Sequence, residues 1–314
     1  MRIVIPDDYQ DIVHRLRCFD LLRGHEVIRF REPARDLVQL AERLRDAEVV
    51  VAIRERVAFP RTLLERLPNL KLVALVGRHS SVIDFEACKD LGIRTVHGSS
   101  ASPVAPAELT IALILASRRN VALEAGRMKG GERPCTLSHR LHGSTLGIYG
   151  LGTIGALVAP IGPALGMKVL VFGREGSLRG ARLAGYAAAK SKEQLFVESD
   201  VLSLHLRLNP QTCGIVAAED LARMKPTALL VNTSRAELIQ PGALLAALRN
   251  GRPGYAALDV YEQEPVSPDH PLLRMPNVLC TPHLGWAEWD TFEAYFGETF
   301  AQIARRFPTI DSPM

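Results

Sequence analysis

One hexamer constrains this chain more than any other feature. Gly150-Leu-Gly152-Thr153-Ile154-Gly155 is a G-x-G-x-x-G that directly follows the apolar run 146–149 and precedes a segment of helical period over 156–165. Between a strand and a helix, the first glycine can take the tight turn, the second lets the backbone approach a pyrophosphate, and the third allows close helix packing. Unpaired N–H groups at the helix start would face the anion. With 24 glycines in the chain the hexamer alone is weak, and a glycine-rich packing turn is its bland alternative; the strand before it and the helix after it favour a dinucleotide. A dinucleotide fold normally opens with this turn, so a loop beginning at position 150 requires a whole domain ahead of it. The length of 314 residues agrees, at about 150 residues per domain.

Short apolar runs at 3–5, 49–53, 72–76, 146–149, 168–172, 201–204, 228–231, 256–258 and 278–280 alternate with helical segments, 105–118 and 241–249 being the clearest. This is the rhythm of βαβ units, with strands buried on both faces of parallel sheets. The expected fold is α/β: a Rossmann dinucleotide-binding domain over 99–283 and a discontinuous flavodoxin-like domain over 1–98 and 284–314. Trp286, Trp289, Phe292, Tyr295, Phe296 and Phe300 recur at helical spacing in the last segment, and so much aromatic area needs a partner surface. The chain is therefore expected to cross back near Leu284 and lay this helix on the first domain, leaving a cleft between the two.

Composition excludes several classes. Hydrophobic residues at 47% and charged residues at 23% are not those of a disordered chain. No apolar stretch approaches the roughly 20 residues needed to span a bilayer, and the opening MRIVIPDDYQ reads as a strand rather than a signal peptide. The five cysteines, at 18, 88, 135, 213 and 280, form no C-x-x-C pair, which suits a reducing cytoplasm. Cys135, His139 and His142 lack a fourth ligand, so no metal site is expected. A net charge of +4, spread among 31 Arg, seven Lys and the acids beside them, offers no stripe for nucleic acid.

After the second strand of the dinucleotide domain, an acid usually holds the adenosine ribose. Here Gly173 takes that place and Arg174 follows, which favours NADP over NAD. Two alternatives stay open: Glu175 could reach the ribose, or Arg174 could be one more solvated arginine.

Three further segments lie at expected strand ends, where open α/β sheets place ligands: 231–236 with Asn232-Thr233-Ser234-Arg235, 258–265 with Asp259, Glu264 and Pro265, and 281–285 with Pro282-His283-Leu284-Gly285. With Leu70-Lys-Leu-Val73, Gly77 and Asp84 in the substrate loop, and the segment A-E-L-T-I-A-L-I-L at 107–115, the chain resembles the D-isomer-specific 2-hydroxyacid dehydrogenases over nearly its whole length. The resemblance implies NAD(P)-dependent reduction of a 2-oxo acid to a D-2-hydroxy acid, and the reverse. His283 would be the general acid, an imidazole being suited to run the proton transfer in both directions. Glu264 would pair with the other ring nitrogen, and Arg235 would clamp the substrate carboxylate and polarise the 2-oxo oxygen. Asp259 would meet the nicotinamide carboxamide, and Gly150, Gly152, Thr153, Ile154, Gly155, Gly173, Arg174, His205, Arg207, Thr233 and Gly285 would complete the cofactor site. Singly, a histidine after proline can be a loop residue, an arginine a helix cap and a glutamate part of a turn; in one ordered set behind a dinucleotide loop, the catalytic assignment is preferred.

Departures from the family pattern bear on the substrate. Its G-x-G substrate loop here reads Gly77-Arg78-His79, and Arg54 follows the 49–53 run; Arg54, Arg78 and His79 would add positive charge for a further anionic group, or lie on the surface. Arg207 replaces a proline, Ala236 a glycine and Gln240 a common Asp. The helix over 105–118 and the segment 120–143 resemble the family's intersubunit arm and imply a homodimer. A non-catalytic dinucleotide sensor, like the family's corepressor, is the competing reading, and formate oxidation is disfavoured because it needs no general acid.

Overall fold

The computed structural model describes residues 1–77, 80, 82–98 and 102–309. It divides into two compact units, one of residues 1–102 and 288–314 and one of residues 103–287. Each is built on a parallel sheet, and no helix among the described residues is long and apolar enough to cross a membrane.

The first unit carries β1 (Arg2–Ile5), β2 (Glu26–Arg29), β3 (Val49–Ile53), β4 (Leu72–Val76) and β5 (Arg94–His97) in the order β2-β1-β3-β4-β5. This is the flavodoxin-like order, with its switch point between β1 and β3. Val4, Val50, Ala52, Val73 and Leu75 enter one core with Leu40, Leu44 and Leu63 from the helical segments. The opposite face lies under the aromatic helix Trp289–Arg306, whose Phe292, Phe296 and Phe300 are buried. That helix is tied to the sheet by Gln302 Nε2 donating to the His97 carbonyl at 2.9 Å, while the Thr299 hydroxyl lies between the Tyr295 carbonyl of its own helix at 3.0 Å and the Leu75 carbonyl of the sheet at 3.4 Å. Phe300 also meets Phe19 edge to face at 6.3 Å.

The second unit carries β6 (Thr145–Tyr149), β7 (Lys168–Phe172), β8 (Ala187–Ala188), β9 (Val201–Leu204), β10 (Leu229–Asn232), β11 (Tyr255–Leu258) and β12 (Val278–Cys280). Their order, β12-β11-β10-β9-β6-β7-β8, is the doubly wound Rossmann arrangement extended by one strand. Successive residues go to opposite faces: Leu170, Leu202, Leu204, Leu230 and Leu258 to one core, Val169, Val171, Val201, Leu229 and Val231 to the other. The helix Val104–Arg118 covers the second face with Ala107, Leu113 and Ile114.

Three strands have no counterpart among the apolar runs: β2, β5 and β8. Each is an edge strand and is partly or largely exposed, so its sequence lacks the continuous apolar run of a central strand. The helix expected over 156–165 is two pieces, Gly155–Val158 and Ile161–Ala164, because Pro160 and Pro163 each remove a backbone donor. Within 120–143, Val121–Lys129 forms a helix with no buried residue.

Candidate active site

The glycine loop follows from close backbone contact. Gly150 has φ 96, and a Cβ on it would come within 2.7 Å of the His205 carbonyl oxygen. A Cβ on Gly155 would meet the Gly150 carbonyl oxygen at 2.3 Å, whereas one on Gly152 would meet nothing within 4 Å. The first and third glycines are thus required by packing, and the second leaves open space over the loop. That space belongs to a cavity of about 770 Å³ at the carboxyl ends of β6 and β9, the switch point of this sheet. Gly150, Gly152, Thr153 and Ile154 form one wall, Gly173 and Arg174 a second, and His205 and Arg207 a third. The His205 ring is held at Nε2 by Ser203 at 2.9 Å, while its Nδ1 is buried without a hydrogen-bond partner. Burial pushes this imidazole down to about 4, so it stays neutral at ordinary pH. A cradle shaped by glycines with an unmatched polar atom in its wall fits a dinucleotide.

Glu175 is not in that wall; it is exposed and pairs with Arg182 at 3.2 Å. Ser177, which sequence reasoning did not single out, is in it, and accepts a hydrogen bond from the Leu151 N–H at 3.1 Å. Its signal was its place in the first turn of the helix behind Gly173 and Arg174. Asn209, Gln211 and Thr212 line the cavity as well, from a loop after β9 with no motif to mark it.

The remaining expected residues stand at the carboxyl ends of β10, β11 and β12. Behind β10, Asn232 Nδ2 donates to the Arg235 carbonyl at 2.8 Å and Ser234 Oγ to that of Leu204 at 2.7 Å, which shapes the loop that presents Arg235. The Arg235 guanidinium folds against the Ser234 carbonyl at 2.7 Å. His283 has φ 52, the left-handed region that a side chain rarely adopts and that clusters at functional sites. Its Nδ1 lies 2.6 Å from Glu264 Oε2, while Glu264 Oε1 accepts the Tyr261 N–H at 3.0 Å. Burial pushes the Glu264 carboxyl up, but the His283 hydrogen bond and charge, the Tyr261 N–H and the Arg235 charge outweigh it and hold the group below its ordinary value. An ionised carboxylate against an imidazole is an acid–base pair, with a guanidinium close enough to act on the same carboxylate.

Asp259 also makes internal contacts that the sequence did not predict. It is fully buried; Oδ1 accepts from Thr281 Oγ1 at 2.6 Å and the Leu284 N–H at 2.7 Å, and Oδ2 from the Gly285 N–H at 2.8 Å. Burial pushes the carboxyl up and these three donors oppose it. Asp259 therefore braces the loop that carries His283. Thr233 is half-buried at the end of β10 and hydrogen-bonds Thr110 at 2.7 Å. In the first unit, Arg54 follows β3 with φ 51, and Gly77, with φ 129, follows β4 beside it. Arg78 and His79 lie outside the described residues.

Residues 111–285 match the family described as D-isomer specific 2-hydroxyacid dehydrogenase, NAD binding domain. Glyoxylate reductase of Aeropyrum pernix is 40% identical over 238 residues, 73% of this chain and 71% of that protein. Glycerate dehydrogenase of Methylorubrum extorquens is 34% identical over 268 residues, 81% of each. The crystal structure of phosphoglycerate oxidoreductase from Vibrio cholerae o395 superposes with a TM-score of 0.93 at 45% identity, covering 98% of both chains. With its two parallel sheets, its glycine cradle and its paired glutamate and histidine, the chain belongs to the D-isomer-specific 2-hydroxyacid dehydrogenases, a family of NAD-dependent oxidoreductases.

Proposed function

We propose that this chain reduces a small 2-oxo acid to its D-2-hydroxy acid, and runs the reverse oxidation, with His283, Glu264 and Arg235 as its catalytic residues. The observation that carries the reading is the 2.6 Å contact between His283 Nδ1 and Glu264 Oε2, with His283 held at φ 52. Because Nδ1 is engaged by the carboxylate, Nε2 is the nitrogen that delivers a proton to the carbonyl oxygen in reduction and recovers it in oxidation. Glu264 keeps the imidazolium charged and its ring oriented. Arg235 binds the substrate carboxylate through its planar fork and stabilises the negative charge that grows on the carbonyl oxygen. A bound nicotinamide supplies or accepts the hydride. Asp259 keeps His283 in place through the three hydrogen bonds of its loop.

The cofactor is NADPH in preference to NADH. Support comes from Arg174 in the cavity wall, from Gly173 where an acid would repel a 2'-phosphate, and from the pairing of Glu175 with Arg182. The unit of residues 1–102 and 288–314 is the substrate domain, with Gly77 and Arg54 on the substrate side, Arg54 meeting a further anionic group. The active form is a homodimer in the cytoplasm, a compartment that suits five free cysteines. Glyoxylate, hydroxypyruvate, pyruvate, phenylpyruvate and phosphohydroxypyruvate, each assayed with NADH and NADPH, test the reading. Turnover of at least one acid is expected, and failure of all five with both cofactors would overturn it.

A further inference from the structure

The cavity at the carboxyl ends of β6 and β9 carries charge of one sign only. Its lining includes two arginines, Arg174 and Arg207, and no aspartate or glutamate. Both arginines are exposed, and among the described residues neither guanidinium makes an ion pair or a side-chain hydrogen bond. Glu175, the acid next to Arg174 in the chain, is turned to Arg182 at 3.2 Å. Two cations that face one cavity without a counter-charge suit an anionic ligand.

The two arginines stand on either side of the glycine loop. In the sheet, β6 lies between β9 and β7, and Arg207 follows β9 while Arg174 follows β7. Strands two places apart are about 10 Å apart, a gap that two arginine side chains can close over the end of β6. Tight backbone packing keeps the span short: a Cβ on Gly150 would come within 2.9 Å of Leu206 Cδ2, and one on Gly173 within 3.5 Å of Gly150 Cα. The loop that carries Arg207 is fixed by its own side chains. Thr212 Oγ1 donates to the Arg207 carbonyl at 2.6 Å, and Asn209 Oδ1 accepts the Gln211 and Thr212 N–H groups at 2.9 and 3.1 Å. The backbone under Arg207 is thus held in place while its side chain stays free to meet a ligand.

Of the anionic groups on a dinucleotide, the pyrophosphate falls to the N–H groups of the glycine loop. The guanidiniums of the two flanking walls are left for a second anion. A 2'-phosphate is a monoester with a charge of about −1.5 to −2 at neutral pH, more than Arg174 alone can balance. We propose that Arg207 is a specificity-determining residue that closes on the 2'-phosphate of NADPH from the β9 side of the cavity while Arg174 holds it from the β7 side. This rests on the NADPH reading above and adds to it a second cation from a different strand end. NADH, with a hydroxyl in place of the phosphate, gains nothing from Arg207.

Dissociation constants for NADPH and NADH are measured by calorimetry without substrate. The wild-type protein should favour NADPH. Arg207→Gln keeps a polar side chain and removes the charge; it should weaken NADPH by about tenfold or more, the worth of one charge-assisted contact, and change NADH by less than about twofold. Arg207→Lys, which keeps the charge and loses the planar fork, should fall between the two. Because Arg207 is exposed, both variants should keep the wild-type Tm. A preference for NADPH that survives Arg207→Gln undiminished overturns the proposal alone, and so does a loss equal for the two dinucleotides, which would place Arg207 on a part they share. A wild-type protein that binds NADH as tightly as NADPH overturns the cofactor reading beneath it, and the proposal with it.

Discussion

In the proposed mechanism His283, Glu264 and Arg235 do different work, and their variants should fail differently. Removing the proton donor in His283→Ala should lower kcat for 2-oxo acid reduction by about a hundredfold to ten-thousandfold, with cofactor affinity near normal. Arg235→Lys keeps the charge and loses the fork, so KM and kcat should both suffer in steady-state kinetics. In Glu264→Gln the carboxylate 2.6 Å from the ring is gone, the imidazolium loses its electrostatic partner, and the pH midpoint of reduction should move down. An upward move would refute the pairing as the source of the acid. Arg174→Ala should raise KM for NADPH more than for NADH, by the equivalent of about 1–3 kcal/mol; a wild-type enzyme that uses NADH equally well would refute the preference. Asp7 offers a test of stability instead of activity. It is fully buried just after β1, with neither carboxyl oxygen hydrogen-bonded, and burial pushes it up to about 8, aided by Asp8 and opposed by Arg56. The unfolded chain releases this proton near 3.8 and the folded chain only near 8, so the group subtracts stability progressively as pH rises through that window. Asp7→Asn should therefore raise Tm at pH 8, by the equivalent of a few kcal/mol, and leave it little changed below about pH 4. A Tm gain equal at both pH values would contradict a buried neutral acid.

At the scale of elements, the glycine loop is a packing device before it is a binding device. Gly155→Ala would place a methyl 2.3 Å from the Gly150 carbonyl oxygen, a backbone atom that cannot swing aside. The turn must shift, at roughly 1–3 kcal/mol of overpacking, and dinucleotide affinity measured by fluorescence titration should fall with it. Gly152→Ala, with open space around its Cβ, should leave Tm nearly unchanged while still weakening binding; equal Tm losses for the two would contradict this division of labour. The central strands and the aromatic helix were legible because burial on one or both faces imposes apolar runs or a helical period on them. The edge strands β2, β5 and β8 were not, since pairing on one side and partial exposure leave no such pattern. The proline-broken helix after the glycine loop could have been read from Pro160 and Pro163, had the missing donors been weighed above the apolar spacing.

For the whole molecule, the proposed homodimer is the reading most open to test. Val121, Met128 and Leu137 are 54%, 79% and 93% exposed on the segment after the helix Val104–Arg118, a costly arrangement unless a second copy covers it. Sedimentation should find a dimer at micromolar concentration, and Met128→Glu with Leu137→Glu should shift it toward monomer; a wild-type monomer would refute the intersubunit arm. What the sequence by itself determined was local or periodic: the G-x-G-x-x-G between strand and helix, the two-domain plan implied by its late start, and the order of the Arg235, Glu264 and His283 motifs. The tertiary structure decided what those groups touch. It set His283 at φ 52 against a glutamate 19 residues away, tied the Asp259 carboxylate to the loop that carries His283, gave Glu175 to Arg182, and joined Thr110 to Thr233 across 123 residues. A motif records which chemistry a strand end carries. Which donor reaches which acceptor depends on how separate strand ends and helix turns converge in space, and hydrophobic period says only which face is buried.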